Sequence, residues 1–557
     1  YTQNHYDRRG RVVRQELETG EEFVIFYDDA ARQNTFLTGS TGENVVYSYG
    51  REKLPTQVLY HDGTTECYRY DGGRNTIYER DRLGRETTRL YNEMGQPTEE
   101  HFPDGYARYS EYDGRGLATR IYDNAGREVT NTYDECGNLV KSGRRMDGNT
   151  VLETAFDHDA MGRITKVCHA DGSVEEYRYD TPFSEPSEYR DAMGNVTAYE
   201  YDATGSMTAM HDPCGGTTRY CHNALGNRIS VTDADGGTTR YVYDGMANLI
   251  REIRPEQYDG ARDSGEGTQY AYDAWRNVKS IRHPDGGLYT CTHDYAGRLL
   301  SEKTPVQNAT GAQGTRYEYD ADFNRIKTVY ADGGILREKH DACGNVTVRI
   351  LPEQYDEKTD GGAGYSYGYD SRDRLVSVTG PDGATEHRYV YDPAGNLIKD
   401  ITAKGCLTAD SDDDRVGTVY TYDLTGNVTS VRIPVDIRDG GVRYRLTTYA
   451  YDKMARCTEE KRYLDYQDAE SRKGRVHTIN YTYDAAGRLT GVGDSTGACA
   501  EYRYDACGRQ TLERIKIDGN TWKEKGREYS PAGRPIRITE SADEKGCGRK
   551  YATTRIE

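Results

Sequence analysis

The stretch Tyr481–Leu489 reads YTYDAAGRL, and close variants of it recur along the whole chain of 557 residues. YRYDACGRQ occupies 502–510, YVYDPAGNL occupies 389–397 and YVYDGMANL occupies 241–249. The tyrosine before the aspartate returns most often after 21 residues, and we count about 23 such units. Self-similarity at a fixed period is typical of repeat architectures. The sequence therefore predicts a single repeat array over 1–557, truncated at both ends.

Each unit predicts two short strands and two turns. Within Tyr270–Asp294 we expect strands over 278–282 and 288–293, joined by an Asp-Gly hairpin turn at Pro284–Gly287. Two tyrosines spaced two residues apart point to the same face of a strand. The aspartate after them accepts hydrogen bonds from the turn backbone, and the glycine three residues later supplies a positive φ. The residues to which we assign this structural role are Tyr241, Tyr243, Asp244, Tyr389, Tyr391, Asp392, Gly395, Tyr481, Tyr483, Asp484, Gly487, Tyr502, Tyr504, Asp505 and Gly508.

The composition is unusual for a folded protein. The mean hydropathy of −0.93 and the apolar share of 35% lean toward disorder. The chain nevertheless contains 50 tyrosines, against 7 phenylalanines and 2 tryptophans, and disordered chains are poor in aromatic residues. Because a tyrosine ring buries area while its hydroxyl keeps a hydrogen-bond partner, a tyrosine-rich chain can be polar and still fold. We therefore expect an all-β array of stacked hairpins held together by tyrosine ladders.

Charge and hydropathy narrow the range of partners. A formal net charge of −19 argues against sequence-independent binding to nucleic acid, which requires Lys and Arg. The sequence has no run of about eighteen apolar residues, so no membrane-spanning helix is predicted. The first residues do not form a signal peptide, and Tyr1 already lies inside a repeat, from which we expect a fragment or a processed piece.

The pattern Y-x-Y-D-x-x-G-[RN]-L at a spacing near 21 resembles the YD repeat of Rhs proteins. The same repeat occurs in the shell subunits of insecticidal Tc toxins and in the extracellular part of teneurins. The resemblance covers the chain from Tyr6 to about Tyr529. It implies an all-β fold, in which a YD-repeat array of stacked β-hairpins forms a spiralling β-sheet strip that curls into a hollow shell.

The resemblance also implies a function. In bacterial members the shell encloses a toxic C-terminal domain, so this chain is expected to be the encapsulating shell of a secreted toxin or a surface protein, located outside the cell or at its surface. The implied partners are an enclosed toxin or cargo polypeptide, absent from this chain, and a delivery or secretion component. Full-length members follow the repeats with an Asp-Pro-x-Gly core whose aspartates cut the chain. Here YDPAGNL at 391–397 is an ordinary repeat and no such core follows Tyr529, so cleavage residues are not assigned.

Candidate catalytic and metal-binding groups have simpler structural explanations. Asp and Arg or Asn bracket nearly every turn, as Asp484 and Arg488 do, whereas an active site is normally single. Turn capping and surface ion pairs account for them, and we predict no catalytic residue, no cofactor and no enzyme activity in this segment. Asp410, Asp412 and Asp414 alternate as calcium ligands can, but the loop lacks the glycine and glutamate of a calcium loop. A solvated acidic loop is favoured, and no metal site is predicted.

Cysteine and histidine recur at fixed positions of the repeat. Cys136, Cys343 and Cys507 each precede a turn glycine. A free thiol on a small turn residue is the favoured interpretation. Disulfides between neighbouring turns and a zinc site are alternatives, although no close Cys/His ligand spacing supports zinc. We interpret the histidines that take the tyrosine position as substitutes in the aromatic ladder; these are His222, His293 and His340.

Two other functions stay open. A cell-surface adhesin would bind glycans or proteins through exposed tyrosines and two long inserts with related sequences, RPEQYDGARDSGEGTQYAYD from Arg254 and LPEQYDEKTDGGAGYSYGYD from Leu351. Tolerated surface loops are the simpler explanation of these inserts. An enzyme hidden in the repeat would need one residue whose substitution abolishes turnover, and nothing in the sequence indicates which residue that would be.

Overall fold

The computed structural model describes residues 2–17, 21–38, 44–406, 416–438, 441–467, 472–518, 521–542 and 550–555. In these residues the chain forms 49 strands, two short α-helices and two 3-10 turns. None of the described helices is long and apolar enough to cross a membrane. The predicted all-β class is confirmed.

The strands β1 to β49 run, in chain order, over Thr2–Tyr6, Val12–Leu17, Glu22–Asp28, Gln33–Thr38, Asn44–Tyr49, Pro55–Leu59, Thr65–Tyr70, Thr76–Arg80, Glu86–Tyr91, Pro97–His101, Ala107–Tyr112, Ala118–Asp123, Glu128–Tyr133, Leu139–Arg145, Val151–His158, Ile164–Cys168, Val174–Arg178, Glu188–Arg190, Val196–Tyr201, Met207–His211, Thr217–His222, Arg228–Thr232, Thr238–Tyr243, Leu249–Ile253, Thr268–Tyr272, Val278–Arg282, Leu288–His293, Leu299–Lys303, Thr315–Tyr319, Arg325–Val329, Ile335–His340, Val346–Ile350, Tyr355–Asp356, Gly361–Gly362, Tyr365–Tyr369, Leu375–Thr379, Thr385–Tyr391, Leu397–Thr402, Thr418–Tyr422, Val428–Arg438, Gly441–Tyr451, Cys457–Tyr463, Val476–Tyr483, Leu489–Asp494, Cys499–Tyr504, Gln510–Asp518, Thr521–Tyr529, Pro535–Ala542 and Lys550–Arg555. The helices α1 and α2 cover Pro305–Thr310 and Ala403–Cys406, and the 3-10 turns cover Pro255–Gln257 and Pro352–Gln354.

Forty-seven of these strands belong to one antiparallel sheet, in which strands pair with their neighbours along the chain. β33 and β34 form a separate two-stranded ribbon inside the second long insert. A single hairpin of this length is marginal in water. Each hairpin therefore depends on the next one to pair its exposed edge. The predicted long strip of stacked hairpins is confirmed.

The hairpin analysed above forms where the sequence predicts it, with β26 and β27 over Val278–Arg282 and Leu288–His293. In its turn, His283 N donates to Gly287 O at 2.8 Å and Gly286 N donates to His283 O at 2.9 Å. Gly286 has a φ of +87°. A two-residue type I′ turn requires two positive φ values, so this turn is a longer loop with one left-handed glycine.

The strip has little fully buried apolar surface. Ile253, Ile350 and Ile401 are its largest fully buried hydrophobic side chains, each at most 2% exposed. Most tyrosines are half-buried instead. A β-bulge shifts the register at the tyrosine that ends a strand, as it does at Tyr483 and Tyr504. Stability must therefore come from many equivalent contacts along the strip, as expected for repeat arrays.

Two compact units make up the chain, and each contains two separate segments. Unit 1 comprises Tyr1–Gly126 and Gln269–Val416. Unit 2 comprises Arg127–Thr268 and Gly417–Glu557. Within each unit, turns of one segment meet turns of the other.

Ion pairs link the two segments inside each unit. In unit 1, Arg374 Nη2 lies 3.3 Å from Asp104 Oδ2, across 270 residues of sequence. In unit 2, Arg456 Nη2 lies 3.1 Å from Asp171 Oδ2, across 285 residues. These separations correspond to many repeats, so the pairs fix which repeats of one segment lie beside which repeats of the other.

Both long inserts fold back onto the strands that precede them. Each begins with a 3-10 turn and packs over the last residue of the preceding strand, Ile253 in the first case and Ile350 in the second. A Cβ on Gly265 would lie 2.2 Å from the Gln257 carbonyl oxygen, and one on Gly364 would lie 2.7 Å from the Ile350 side chain. Glycine is therefore required where the insert closes over the strand.

Candidate functional site

The repeated tyrosine ties each hairpin to an earlier strand. The Tyr504 hydroxyl donates to the carbonyl oxygen of Leu489, the first residue of β44, at 2.7 Å. Each buried hydroxyl of this kind is satisfied by backbone, so the ring can pack without an unpaired polar atom. The same bond, to a carbonyl 15–26 residues earlier, is made by Tyr27, Tyr70, Tyr91, Tyr112, Tyr179, Tyr201, Tyr243, Tyr319, Tyr369, Tyr391, Tyr451, Tyr483 and Tyr529.

The aspartate after the tyrosine organises the turn. Asp484 Oδ1 accepts a hydrogen bond from Arg488 N at 3.0 Å, and Asp484 Oδ2 accepts one from Arg488 Nε at 2.7 Å. Gly487 completes the turn at a φ of +81°. Equivalent bonds join Asp505 to Arg509, Asp244 to Asn248 and Asp392 to Asn396. Gly395 and Gly508 have φ values of +91° and +79°.

The turn keeps its shape in repeats that lack the glycine. Ala247 and Arg276 hold φ values of +63° and +68° at the same position. A left-handed residue other than glycine costs about 1–2 kcal/mol. The hydrogen bonds around the turn therefore hold its conformation even where the residue at this position is not glycine.

The turn arginine links its own turn to the next repeat. The guanidinium carbon of Arg488 lies 5.1 Å from the centre of the Tyr504 ring, and Nη1 donates to Asp505 O at 3.2 Å. One side chain thus contacts its own aspartate, the next tyrosine and the next turn, a use of the planar guanidinium that lysine cannot reproduce. Sequence reasoning assigned these residues to turn capping and surface ion pairs and missed this link. The same arrangement is formed by Arg298, Arg374, Arg456 and Arg509.

The first tyrosine of each pair has more varied surroundings. Tyr481 donates to Glu460 Oε2 at 3.2 Å, and the Tyr389 ring stacks on His387 with centroids 5.6 Å apart. Burial raises the pKa of Tyr241, and Tyr502 is half-buried. These residues therefore contribute ring packing rather than one repeated hydroxyl bond.

Histidines occupy the tyrosine position at the ends of four of the described strands. Their Nδ1 atoms are buried, and none of the described residues provides a hydrogen-bond partner for them. Each imidazole therefore fills the place of the ring while Nδ1 stays unpaired. They are His222, His293 and His340, which the sequence analysis identified, and His158, which it did not.

One group of potential metal ligands assembles that the local sequence spacing did not indicate. Cys214 Sγ, Cys507 Sγ and a carboxylate oxygen of Asp212 lie within 4.8 Å of one another in unit 2. Burial and a hydrogen bond with Cys214 raise the pKa of the Cys507 thiol. Asp212 and Cys214 come from the earlier segment of unit 2 and Cys507 comes from the later one, so short-range spacing could not reveal the cluster.

The other predicted positions are more dispersed. Among the described residues the cysteines are free thiols. Cys136 is exposed, and Cys343 Sγ accepts a hydrogen bond from Arg85 Nη2 at 3.2 Å. The acidic stretch with Asp410, Asp412 and Asp414 lies outside the described residues.

Three stretches of the chain, 222–258, 369–405 and 483–521, match the RHS repeat family. The chain contains RHS repeats at these three places. The predicted resemblance is thereby confirmed. The third match begins at Tyr483, the second tyrosine of the stretch Tyr481–Leu489.

A curated relative of these RHS repeats is double-stranded DNA deaminase toxin A of Burkholderia cenocepacia. It is 26% identical over 414 residues, which cover 66% of this chain and 25% of the relative. The chain therefore spans about a quarter of the length of that protein.

Solved structures resemble the fold of this chain over almost its whole length. A Photorhabdus luminescens Tc holotoxin pore with a mutation in TccC3 matches with a TM-score of 0.59 at 12% identity, over 98% of this chain and 33% of that chain. The crystal structure of TcdB2-TccC3-TEV matches with a TM-score of 0.50 at 13% identity, over 97% and 32%. At such identities the likeness establishes the fold alone. This chain spans about a third of the length of each matched chain.

Proposed function

We propose that this chain is part of the wall of a shell that encloses a polypeptide cargo. The observation that carries the proposal is the likeness of nearly the whole chain to a Tc holotoxin structure. The RHS repeats and the toxin relative support the same association with toxins. The enclosed polypeptide, a delivery component and an extracellular destination all belong to this proposal.

The use of polar groups supports a structural role. The hydrogen bonds of Tyr504, Asp484 and Arg488 are made to other residues of the repeat array. The same bonds recur in many repeats. Catalysis needs a singular set of groups that converge on a substrate. Repetition of one arrangement serves stability instead. We therefore assign no enzyme activity to the repeats, and we place any toxic activity in the enclosed polypeptide.

The long inserts bear on the adhesin alternative. In the first insert Asp263 accepts hydrogen bonds from the Tyr258 hydroxyl at 2.8 Å and from Arg240 Nε and Nη2 at 2.9 and 3.0 Å. In the second, Asp360 accepts from the Tyr355 hydroxyl and from Lys327 Nζ. The insert tyrosines thus serve internal contacts, which favours packed loops of the wall over binding loops.

The protein from its native source provides the test. Cryo-electron microscopy is expected to reveal additional polypeptide density enclosed by the repeats. Limited proteolysis is expected to leave that polypeptide intact until the repeats are denatured. An empty strip with a glycan or protein bound to its outer surface would contradict the proposal. Loss of that binding after trimming 255–268 or 352–364 would then favour the adhesin.

A further inference from the structure

In unit 2, one contact between turns of the two segments is made by cysteines rather than by charged residues. Arg456 of the later segment meets Asp171 of the earlier one at 3.1 Å, and Arg534 meets Asp233 at 2.6 Å. At the turn of Asp212, which lies between those two aspartates in sequence, the facing residue is Cys507. Arg509, which takes the turn position of Arg456 and Arg534, bonds to Asp505 and to the Ser530 carbonyl oxygen instead, and the thiol of Cys507 faces Asp212.

The Asp212 carboxylate has an oxygen that its own turn does not use. Oδ1 accepts hydrogen bonds from Cys214 N and Gly216 N, both at 2.8 Å. In other turns the side chain four residues after the aspartate bonds to Oδ2, but here that residue is Gly216, which has no side chain. In the part of the chain that the structure describes, no hydrogen bond or ion pair reaches Asp212 Oδ2.

Two sulfur atoms lie beside this carboxylate. Cys214 Sγ, Cys507 Sγ and one oxygen of the Asp212 carboxylate are all within 4.8 Å of one another. Zinc–sulfur and zinc–oxygen bonds of about 2.3 and 2.0–2.2 Å place tetrahedral ligand atoms roughly 3.5–3.8 Å apart. The observed cluster needs little adjustment to reach that spacing.

We propose that Asp212, Cys214 and Cys507 bind one thiophilic divalent cation, and that zinc suits this donor set best. Water would occupy the fourth position of the tetrahedron, because Cys214 is exposed and the site is open to solvent. Binding releases one proton from each thiol. The ion would join the two segments of unit 2 at the turn of Asp212, as arginine–aspartate pairs join them at the turns of Asp171 and Asp233.

A disulfide between Cys214 and Cys507 is the competing use of the same sulfur atoms. It would require an oxidant such as a disulfide exchange partner, and it would leave Asp212 Oδ2 without a partner. The position of the carboxylate therefore favours the cation, and the disulfide becomes an outcome of the test.

The test titrates the whole chain, purified under reducing conditions and stripped of metal, with Co²⁺ as a spectroscopic probe. We expect one Co²⁺ per chain, a thiolate-to-cobalt charge-transfer band and displacement of the Co²⁺ by Zn²⁺. Cys214→Ser and Cys507→Ser should each abolish the band, and Asp212→Asn should weaken binding. Cys136→Ser is the matched control, because Cys136 takes the same turn position as Cys507 within the same unit.

Absence of the band in the folded wild-type chain would overturn the proposal, as would equal loss of the band in the Cys136→Ser control. A Cys214–Cys507 disulfide peptide, isolated from the native protein before reduction, would assign the pair to a covalent bridge and overturn it as well. Circular dichroism of each variant separates loss of binding from loss of folding. None of these outcomes bears on whether the repeats enclose a cargo.

Discussion

At the scale of single residues, the strong preference for tyrosine over phenylalanine has a specific cause. The ring of Tyr504 packs in the strip while its hydroxyl satisfies the carbonyl of Leu489. Phenylalanine would bury the same ring area but leave that carbonyl without its donor. Sequence reasoning predicted a partner for the hydroxyl and could not identify it, because the acceptor is a backbone atom in the preceding repeat.

The substitution Tyr504→Phe should lower the free energy of unfolding by about 1 kcal/mol, the usual net value of one hydrogen bond. Urea denaturation followed by circular dichroism measures the loss. Tyr502→Phe is the control, since it lies two residues earlier on the same strand face and no carbonyl acceptor for its hydroxyl is found among the described residues. Equal losses from the two variants would refute the role assigned to the hydroxyl bond.

The tyrosines also predict the response of the fold to alkali. Burial raises the pKa of Tyr451 to about 12, from an ordinary value of 10.0. The folded state therefore favours the protonated ring. Its contribution is fully present below pH 10 and is lost as the pH rises through 12. The difference in tyrosinate absorbance between the wild type and Tyr451→Phe should therefore titrate near pH 12; titration of that difference near pH 10, with the fold intact by circular dichroism, would contradict this.

At the scale of elements, the hairpins were predictable because their determinants are local. The alternation of side chains and the turn residues of Val278–His293 placed both strands correctly. The contacts of Arg488 were not predictable, because the ring that it covers and the carbonyl that it reaches belong to the next repeat. The cluster of Asp212, Cys214 and Cys507 could not be predicted either, since Cys507 and the other two residues come from different segments of unit 2.

The turn glycine gives a prediction at this scale. Gly487→Ala places a Cβ on a residue with a φ of +81° and should cost about 1–2 kcal/mol, although no atom blocks the space. Gly493→Ala lies in the same repeat, without a positive φ and with open space, and should be neutral or slightly stabilising. Thermal unfolding of both variants makes the comparison. A similar cost at both positions would contradict the assignment of the cost to the positive φ of Gly487.

At the scale of the whole molecule, each unit is held by contacts that are distant in sequence. Among the described residues their separations run from 240 residues for Arg82 with Asp322 to 301 for Arg534 with Asp233. No local pattern in the sequence encodes such an offset, and only the fold reveals it.

Removing one of these pairs should weaken unit 2 in a salt-dependent manner. Asp171→Asn keeps the turn but loses its charge toward Arg456, and we expect a loss of about 1 kcal/mol or less at low salt. The loss should shrink at about 1 M salt, where the Debye length falls to about 3 Å. Asp382→Asn is the control, because Asp382 caps an equivalent turn and no ion pair to it is found in the described residues. The measurement is the urea midpoint of unfolding of each variant at both salt concentrations. A loss of stability that does not depend on salt would exclude the ion pair as its cause.

Among the described residues, the bonds from tyrosine hydroxyls to backbone carbonyls all run in one direction along the chain, from a later tyrosine to a carbonyl 15–26 residues before it. During translation the acceptor strand therefore leaves the ribosome before the tyrosine that binds it. The strip can assemble in the order of synthesis, one hairpin at a time, without waiting for the distal end of the chain. Ribosome-bound chains lengthened by one repeat should gain protease resistance in matching steps, whereas resistance that arises only after release would indicate that the wall forms all at once.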